Sequence, residues 1–180
     1  MKKIILLFSG GLDSTILLNL ALRSDMIPYC LLVDYSQKHV AELEYAKQCC
    51  NEKGIEFQEV QVRNLMVDSK LTGTEVKYEG VSEWHVPSRN LMFISFALAV
   101  AESKGIDLIW YGANYEDRIN LFPDCYQEWV YSLNQLIEKN GSKKIKVEAP
   151  LLGMTKETIQ ALAKIFNVNK ENTFSGYEQR

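Results

Sequence analysis

Ser9, Gly10, Gly11, Asp13, Ser14 and Thr15 lie within one short stretch, Phe-Ser-Gly-Gly-Leu-Asp-Ser-Thr. Paired glycines let a backbone turn tightly and approach an anion closely, and the three hydroxyls add donors to that turn. An apolar stretch, Ile4 to Phe8, runs into the turn, and a helical pattern, Thr15 to Leu22, leaves it. Such a strand–loop–helix directs the N–H groups of a helix N-terminus at the same point, so the expected chemistry is phosphate binding. The GxxxxGK[ST] spacing of a Walker loop and its lysine are absent, and so is the GxGxxG dinucleotide fingerprint. The bland alternative is a turn in which the glycines and Asp13 serve local geometry, but the hydroxyls and carboxylate exceed what a turn requires.

Other residues could meet such a ligand. Val33 and Asp34 end the second apolar stretch, where a sheet's carboxyl edge meets adenine or ribose; Asp34 could equally cap the following turn. Arg89 and Asn90 open a helix, where a guanidinium fork and helix N–H groups suit phosphate or carboxylate; the alternatives are a surface cation and a helix cap. Lys156 falls in the first turn of the last helix, where a cation opposes the helix dipole, so a phosphate partner competes with a solvated lysine. Gly112 follows a strand end and leaves room for a nucleotide. Glu116, Asp117 and Asp124 offer carboxylates for Mg²⁺ or a purine edge, or are solvated loop acids. Trp84, Trp110 and Trp129 read as packing residues.

These residues need a frame. Strand signals at Ile4 to Phe8, Tyr29 to Asp34, Phe57 to Val62 and Leu108 to Tyr111 alternate with helical spacing at Ser14 to Arg23, Val40 to Lys53, Asn90 to Lys104, Tyr126 to Asn140 and Lys156 to Phe166. That rhythm predicts an α/β fold, a Rossmann-like parallel sheet with helices on both faces and ligands beyond the carboxyl ends of the strands. Asn64 to Pro87 and Gly112 to Asp124 read as long irregular loops, which are usually functional. At 180 residues the chain is expected to form a single domain over 1–180.

Composition narrows the function classes. A net charge of −3 and a pI near 5.5 give no basic footprint for nucleic acid. No apolar run is long enough to span a bilayer, and Ser9 to Asp13 interrupts the stretch after Lys2-Lys3 before a signal peptide could form, so a cytoplasmic protein is expected. Cys30, Cys49, Cys50 and Cys125 lack CxxC spacing and read as buried thiols, with no disulfide framework.

The SGGxDS loop after a strand resembles the PP-loop of the ATP pyrophosphatases, which cleave ATP between the α and β phosphates to adenylate a substrate. Later blocks resemble the 7-cyano-7-deazaguanine synthases of that group: Val33-Asp34-Tyr35-Ser36-Gln37-Lys38-His39, Val86-Pro87-Ser88-Arg89-Asn90, Gly112 with Phe122-Pro123-Asp124-Cys125, and Ala149-Pro150-Leu151 with Lys156-Glu157-Thr158. They occur in the family's order from Ile4 to about Tyr177. The resemblance implies ATP and Mg²⁺, with Phe8, Ser9, Gly10, Gly11, Asp13, Ser14, Thr15, Val33, Asp34, Arg89 and Gly112 on the nucleotide. It implies a substrate set of Tyr35, Gln37, His39, Asn90, Glu116, Asp117, Pro123 and Asp124, and assigns the chemistry to Asp13, Arg89 and Lys156. The implied partners are a small-molecule carboxylate, 7-carboxy-7-deazaguanine, and ammonia or another amine. Dimerisation or a protein partner is an expectation by analogy.

Several positions depart from the family pattern. Gly176 stands where the first cysteine of a C-terminal zinc site belongs and no cysteine cluster follows, so zinc is not expected. Glu116-Asp117-Arg118-Ile119-Asn120 replaces a Thr-Asp-Phe-Ser-Gly run, Lys38 replaces an arginine, and Thr155 an aspartate. Three readings follow: nitrile synthesis from the deazapurine acid, a ligase joining such an acid to another amine, including one on a protein, and a non-catalytic ATP-binding partner subunit.

Overall fold

The structure is a computed structural model that describes residues 1–35, 40–63, 86–119, 122–142 and 144–168. Its centre is a parallel sheet with strand order β3-β2-β1-β4-β5, formed by β1 (Lys2–Leu7), β2 (Met26–Asp34), β3 (Phe57–Gln61), β4 (Leu108–Trp110) and β5 (Lys146–Glu148). The helices are α1 (Leu12–Arg23), α2 (Val40–Lys53), α3 (Arg89–Lys104), α4 (Tyr115–Ile119), α5 (Gln127–Lys139) and α6 (Lys156–Ile165).

Alternation along β1 explains the layers. Ile4 and Leu6 point to one face, where they join Ile16 and Leu17 of α1, Leu43 and Ala46 of α2 and Ile159 of α6. Ile5 points to the other face and joins Ile94 and Ala97 of α3 with Val130 and Leu133 of α5. Both faces are therefore covered, which is why the inner strands read as continuous apolar runs. The fold is the expected Rossmann-like α/β sheet with helices on both faces.

Two parts of the sequence reading need correction. β5 carries no apolar run: it is Lys-Val-Glu, and Val147 alone is buried. It is held from outside by Asn134 of α5, whose amide donates to the Val147 carbonyl and accepts from the Val147 N–H, at 2.9 Å each. A side chain thus does for this sheet edge what a sixth strand would do. The stretch from Gly112 to Asp124 is not irregular either, since it holds α4 and a 3₁₀ turn, Pro123–Cys125. Helices this short give too few turns for periodicity to register. All four cysteines are buried free thiols. No helix among the described residues is long and apolar enough to cross a membrane.

Because β2 and β3 lie on one side of β1 and β4 and β5 on the other, the strand order reverses direction between β1 and β4. The loops leaving these two strands face each other across that switch point, where sheets of this kind bind ligands.

Candidate functional site

The loop after β1 is built as a cradle. Gly10 has φ +83°, a left-handed conformation that favours glycine, and Gly11 is the N-cap of α1. No side chain caps that helix, so its first N–H groups remain directed at the loop. Ser9 and Ser14 hydroxyls lie 3.1 Å apart, and Ser9 Oγ accepts from the Gly11 N–H at 3.3 Å. Ser14 and Thr15 are both buried, and both hydroxyls donate back to the Gly11 carbonyl, at 3.0 and 2.9 Å. Ser14 and Thr15 therefore hold the backbone of the turn, and Ser14 also joins it to the Ser9 hydroxyl beside the helix amides.

Asp13, on the first turn of α1, is the carboxylate of this cradle. It accepts a hydrogen bond from Asn114 Nδ2 at 2.9 Å, and Asn114 Oδ1 accepts from the Asp117 N–H at 3.0 Å. Glu116 turns the other way and accepts from the backbone N–H of Lys156 at 2.7 Å, while the Tyr115 N–H donates to the Met154 carbonyl at 3.1 Å. The short helix α4 thereby ties the start of α1 to the start of α6. Gly112 lies against the same loop, 3.6 Å from Asp13 Cβ at the position a side chain would take.

Charge is concentrated here. Burial raises the Asp13 carboxyl above its usual range, opposed by the Asn114 hydrogen bond and by the positive charge of Lys156. Asp117 is pushed up to about 6 by burial and by Asp13, against the attraction of Lys156 and Arg89. Glu42 of α2 is pushed up to about 7 by burial, against Arg89. Arg89 and Lys156, far apart in sequence, therefore both act on Asp117. Such opposed perturbations at one strand edge make this the candidate functional site.

Beside the cradle lies a cavity of about 230 Å³ lined by Ser88, Arg89, Asn90, Gly112, Asp117, Phe122, Pro123, Asp124 and Trp129 among others. It falls below the ~300–1,000 Å³ usual for drug-sized ligands, so it suits one fused ring system better than a whole nucleotide. Asn90, read from sequence as a possible cap, instead reaches across from α3 and donates to the Asp124 carboxylate, while Tyr111 Oη donates to the Asp124 carbonyl at 2.7 Å. These bonds fix the Pro123–Cys125 turn as one wall. Trp129 lines this cavity and packs against Tyr111 at 6.2 Å, whereas Trp110 is buried in the core.

The remaining sequence candidates fall as follows. Phe8 and Val33 are buried at strand ends. Asp34 pairs with Arg63 at 3.1 Å, and its carbonyl accepts the Val62 N–H; neither contact is a cap. Tyr35 Oη accepts from an Arg89 amine at 3.5 Å. Gln37 and His39 lie outside the described residues, as do Trp84, Lys38 and Gly176 with the segment on which the zinc expectation rested. Among the described residues no group of three or more His, Cys, Asp or Glu could hold a metal ion. Asn114 and Glu42 were not singled out from sequence. The signal for Asn114 was an asparagine three residues before an acidic residue, the pattern of a helix cap.

Glu42 gives a stability prediction with a sign opposite to the usual carboxylate. Its folded value, about 7, exceeds the ordinary 4.5. Below about pH 4.5 it is protonated in both states and contributes nothing; as pH rises towards 7, ionisation favours the unfolded chain, and above 7 the penalty is complete. Glu42→Gln should therefore raise the melting temperature at pH 8, with the gain fading by pH 4. Thermal melts across that range check it, and a gain independent of pH would refute the burial of this charge.

Sequence comparison places the chain among known proteins. A family profile described as queuosine biosynthesis protein QueC matches residues 3–180. The chain is 32% identical to the 7-cyano-7-deazaguanine synthase of Marinomonas sp., covering 99% of this chain and 85% of that protein. It is 34% identical to the enzyme of that name from Leptospira interrogans, covering 99% and 79%. Among solved structures, NH3-dependent NAD synthetase from Campylobacter jejuni superposes with a TM-score of 0.59 at 18% identity, covering 99% of this chain and 69% of that one. The U34-tRNA thiolase NcsA from Methanococcus maripaludis gives 0.58 at 16%, and this chain spans 61% of its length. At these identities the structural likeness concerns the fold.

Proposed function

We infer the activity from one premise: the chain belongs to the queuosine biosynthesis protein QueC family. It uses ATP to adenylate the carboxylate of 7-carboxy-7-deazaguanine and, with ammonia, converts it to the nitrile 7-cyano-7-deazaguanine. The observation that carries this reading is the adjacency of the cradle and the small cavity: Gly112 and Asp117 line the cavity with Arg89, and Gly112 also lies against Asp13 and Ser14. A carboxylate in the cavity would then face a nucleotide's α-phosphate in the cradle.

The residues present fit a nucleotide. A left-handed Gly10, an uncapped helix start and two facing serine hydroxyls suit a pyrophosphate. Phe8, Val33 and Asp34 border the strand ends on which adenine and ribose would lie. Asp13 and Asp117 are hard oxygen donors of the number Mg²⁺ usually takes from a protein when phosphates supply the rest. When bound, the ion neutralises charge on the phosphate oxygens.

Chemistry here needs orientation and charge, with no protein nucleophile. A carboxylate oxygen attacks the α-phosphorus, the bond to the bridging oxygen breaks, and pyrophosphate leaves with the electron pair. The helix amides, Arg89 and Lys156 are positioned to stabilise that charge. Ammonia then attacks the acyl carbon, AMP departs and a proton is released. Adenylation of the resulting amide oxygen by a second ATP, followed by loss of AMP and a proton, gives the nitrile. Tyr35, Asn90, Pro123 and Asp124 would position the ring, together with Gln37 and His39.

Incubation with ATP–Mg²⁺, ammonium and 7-carboxy-7-deazaguanine, followed by mass spectrometry, tests this reading. Nitrile with AMP is expected. AMP without nitrile would point instead to a ligase with another amine, and ATP binding without AMP to a non-catalytic partner subunit.

A further inference from the structure

We propose that Asn114 is a positioning residue for adenylation, setting the plane of the Asp13 carboxylate and registering the turn after β4 against the phosphate cradle. The proposal rests on the ATP-dependent reading above. Asn114 is 1% exposed, and both ends of its amide are engaged: Nδ2 donates to Asp13 Oδ2 at 2.9 Å, and Oδ1 accepts from the Asp117 N–H at 3.0 Å.

A purely structural role explains half of this arrangement. Asn114 precedes α4 and its oxygen receives the N–H of the helix's third residue, which is how an N-cap works. Capping does not explain the donor end, which reaches a carboxylate 101 residues away on a different helix. Aspartate would cap equally well but has nothing to donate; asparagine presents a donor and an acceptor on one short, planar group. The side chain therefore fits the joint task of orienting Asp13 and fixing α4.

The surroundings give the bond its consequence. Asp13 is faced by Lys156, Glu116 and Asp117, so two other carboxylates and one ammonium act on it. Without this donor the Asp13 carboxylate would lose the bond that fixes its plane. The same residue aims the backbone that carries Asp117 and Glu116, so Asn114 couples the nucleotide loop to the cavity wall.

Asn114→Asp separates the two roles, because it keeps the cap and replaces the donor with a like charge. Three readouts apply to this variant and to Asn114→Ala: thermal melting, kcat for AMP formation with ATP–Mg²⁺ and 7-carboxy-7-deazaguanine, and KM for ATP. Asn114→Asp is expected to lower kcat for AMP formation about tenfold or more, the worth of one hydrogen bond to a charged group. KM for ATP should change far less, because the glycine turn and the helix amides remain in place. Exchanging the pair, Asp13→Asn with Asn114→Asp, restores the bond with its direction reversed and should recover the melting temperature while turnover stays low. Wild-type kcat in Asn114→Asp, or a loss carried by KM for ATP with kcat intact, would overturn the proposal and leave a simple helix cap. Should the wild type form no AMP, the adenylation reading fails by itself, and recovery of the melting temperature in the exchanged pair still decides whether Asn114 holds Asp13.

Discussion

Arg89→Ala is expected to lower kcat for AMP formation by about 10²–10³, the usual loss when one preorganised charge-stabilising group is removed from an active site. The melting temperature should change little. Arg89 begins α3, where a cation opposes the helix dipole, and it is not part of the core, so its removal takes nothing essential from the fold. Its contributions lie in the site: it lines the small cavity, touches Tyr35 Oη, and its charge acts on both Asp117 and Glu42. The same substitution should therefore push those two carboxyls further up and move the acid limb of the rate profile to higher pH. Arg89→Lys keeps the charge without the planar fork and should recover part of the rate. Single-turnover AMP formation between pH 5 and 9 provides the check. An unchanged rate and profile would reduce Arg89 to a surface cation.

Why Arg89 could be picked out of the sequence, and Asn114 could not, follows from how each is placed. The cradle was legible because all its parts are consecutive: strand, glycine pair, hydroxyls and helix arrive in one short run, and strand-to-helix geometry fixes the rest. The sheet was legible for a related reason, since strands buried on both faces must be apolar throughout, as Ile4 to Leu7 and Cys30 to Val33 are. β5 escaped because Asn134, on a neighbouring helix, satisfies its edge and relieves Lys146 and Glu148 of any need to be apolar. The convergence of Arg89, Lys156, Asp13 and Asp117 depends on the order in which strands sit in the sheet, which no local window contains. Asn114 was hidden more deeply, because its donor partner comes from the first helix and its acceptor role looks like ordinary capping. The departures at Glu116 and Thr155 also acquire a local account: Glu116 receives the first amide of α6, and Thr155 caps that helix by accepting from the Thr158 N–H at 3.3 Å. Both bear on how Lys156 is presented, and neither bears directly on the cavity.

Gly10→Ala should damage both stability and ATP use, and it tests the join between them. At φ +83° an L side chain is strained wherever it occurs, by about 1–3 kcal/mol. Here space is lacking as well: a Cβ on Gly10 would overlap the Glu42 carbonyl oxygen and lie 3.2 Å from the Ala46 N–H nitrogen. Those atoms belong to the backbone of α2, which packs Leu43, Ala46 and Cys50 into the core and cannot retreat without opening it. Either α2 shifts or the loop flattens, and in both cases the turn that aims the α1 amides is lost. The expected outcome is a stability loss of at least about 2 kcal/mol in urea denaturation, together with ATP binding too weak to follow by calorimetry. Gly112→Ala is the matched control on the protein side, because a Cβ there meets its nearest neighbours at 3.6 to 3.7 Å, ordinary contact distances. It should leave stability nearly unchanged, so weakened ATP binding in that variant would report crowding of the ligand and not of the fold. Were Gly10→Ala to bind ATP as tightly as the wild type, the loop after β1 could not be the phosphate cradle, whatever its resemblance to one.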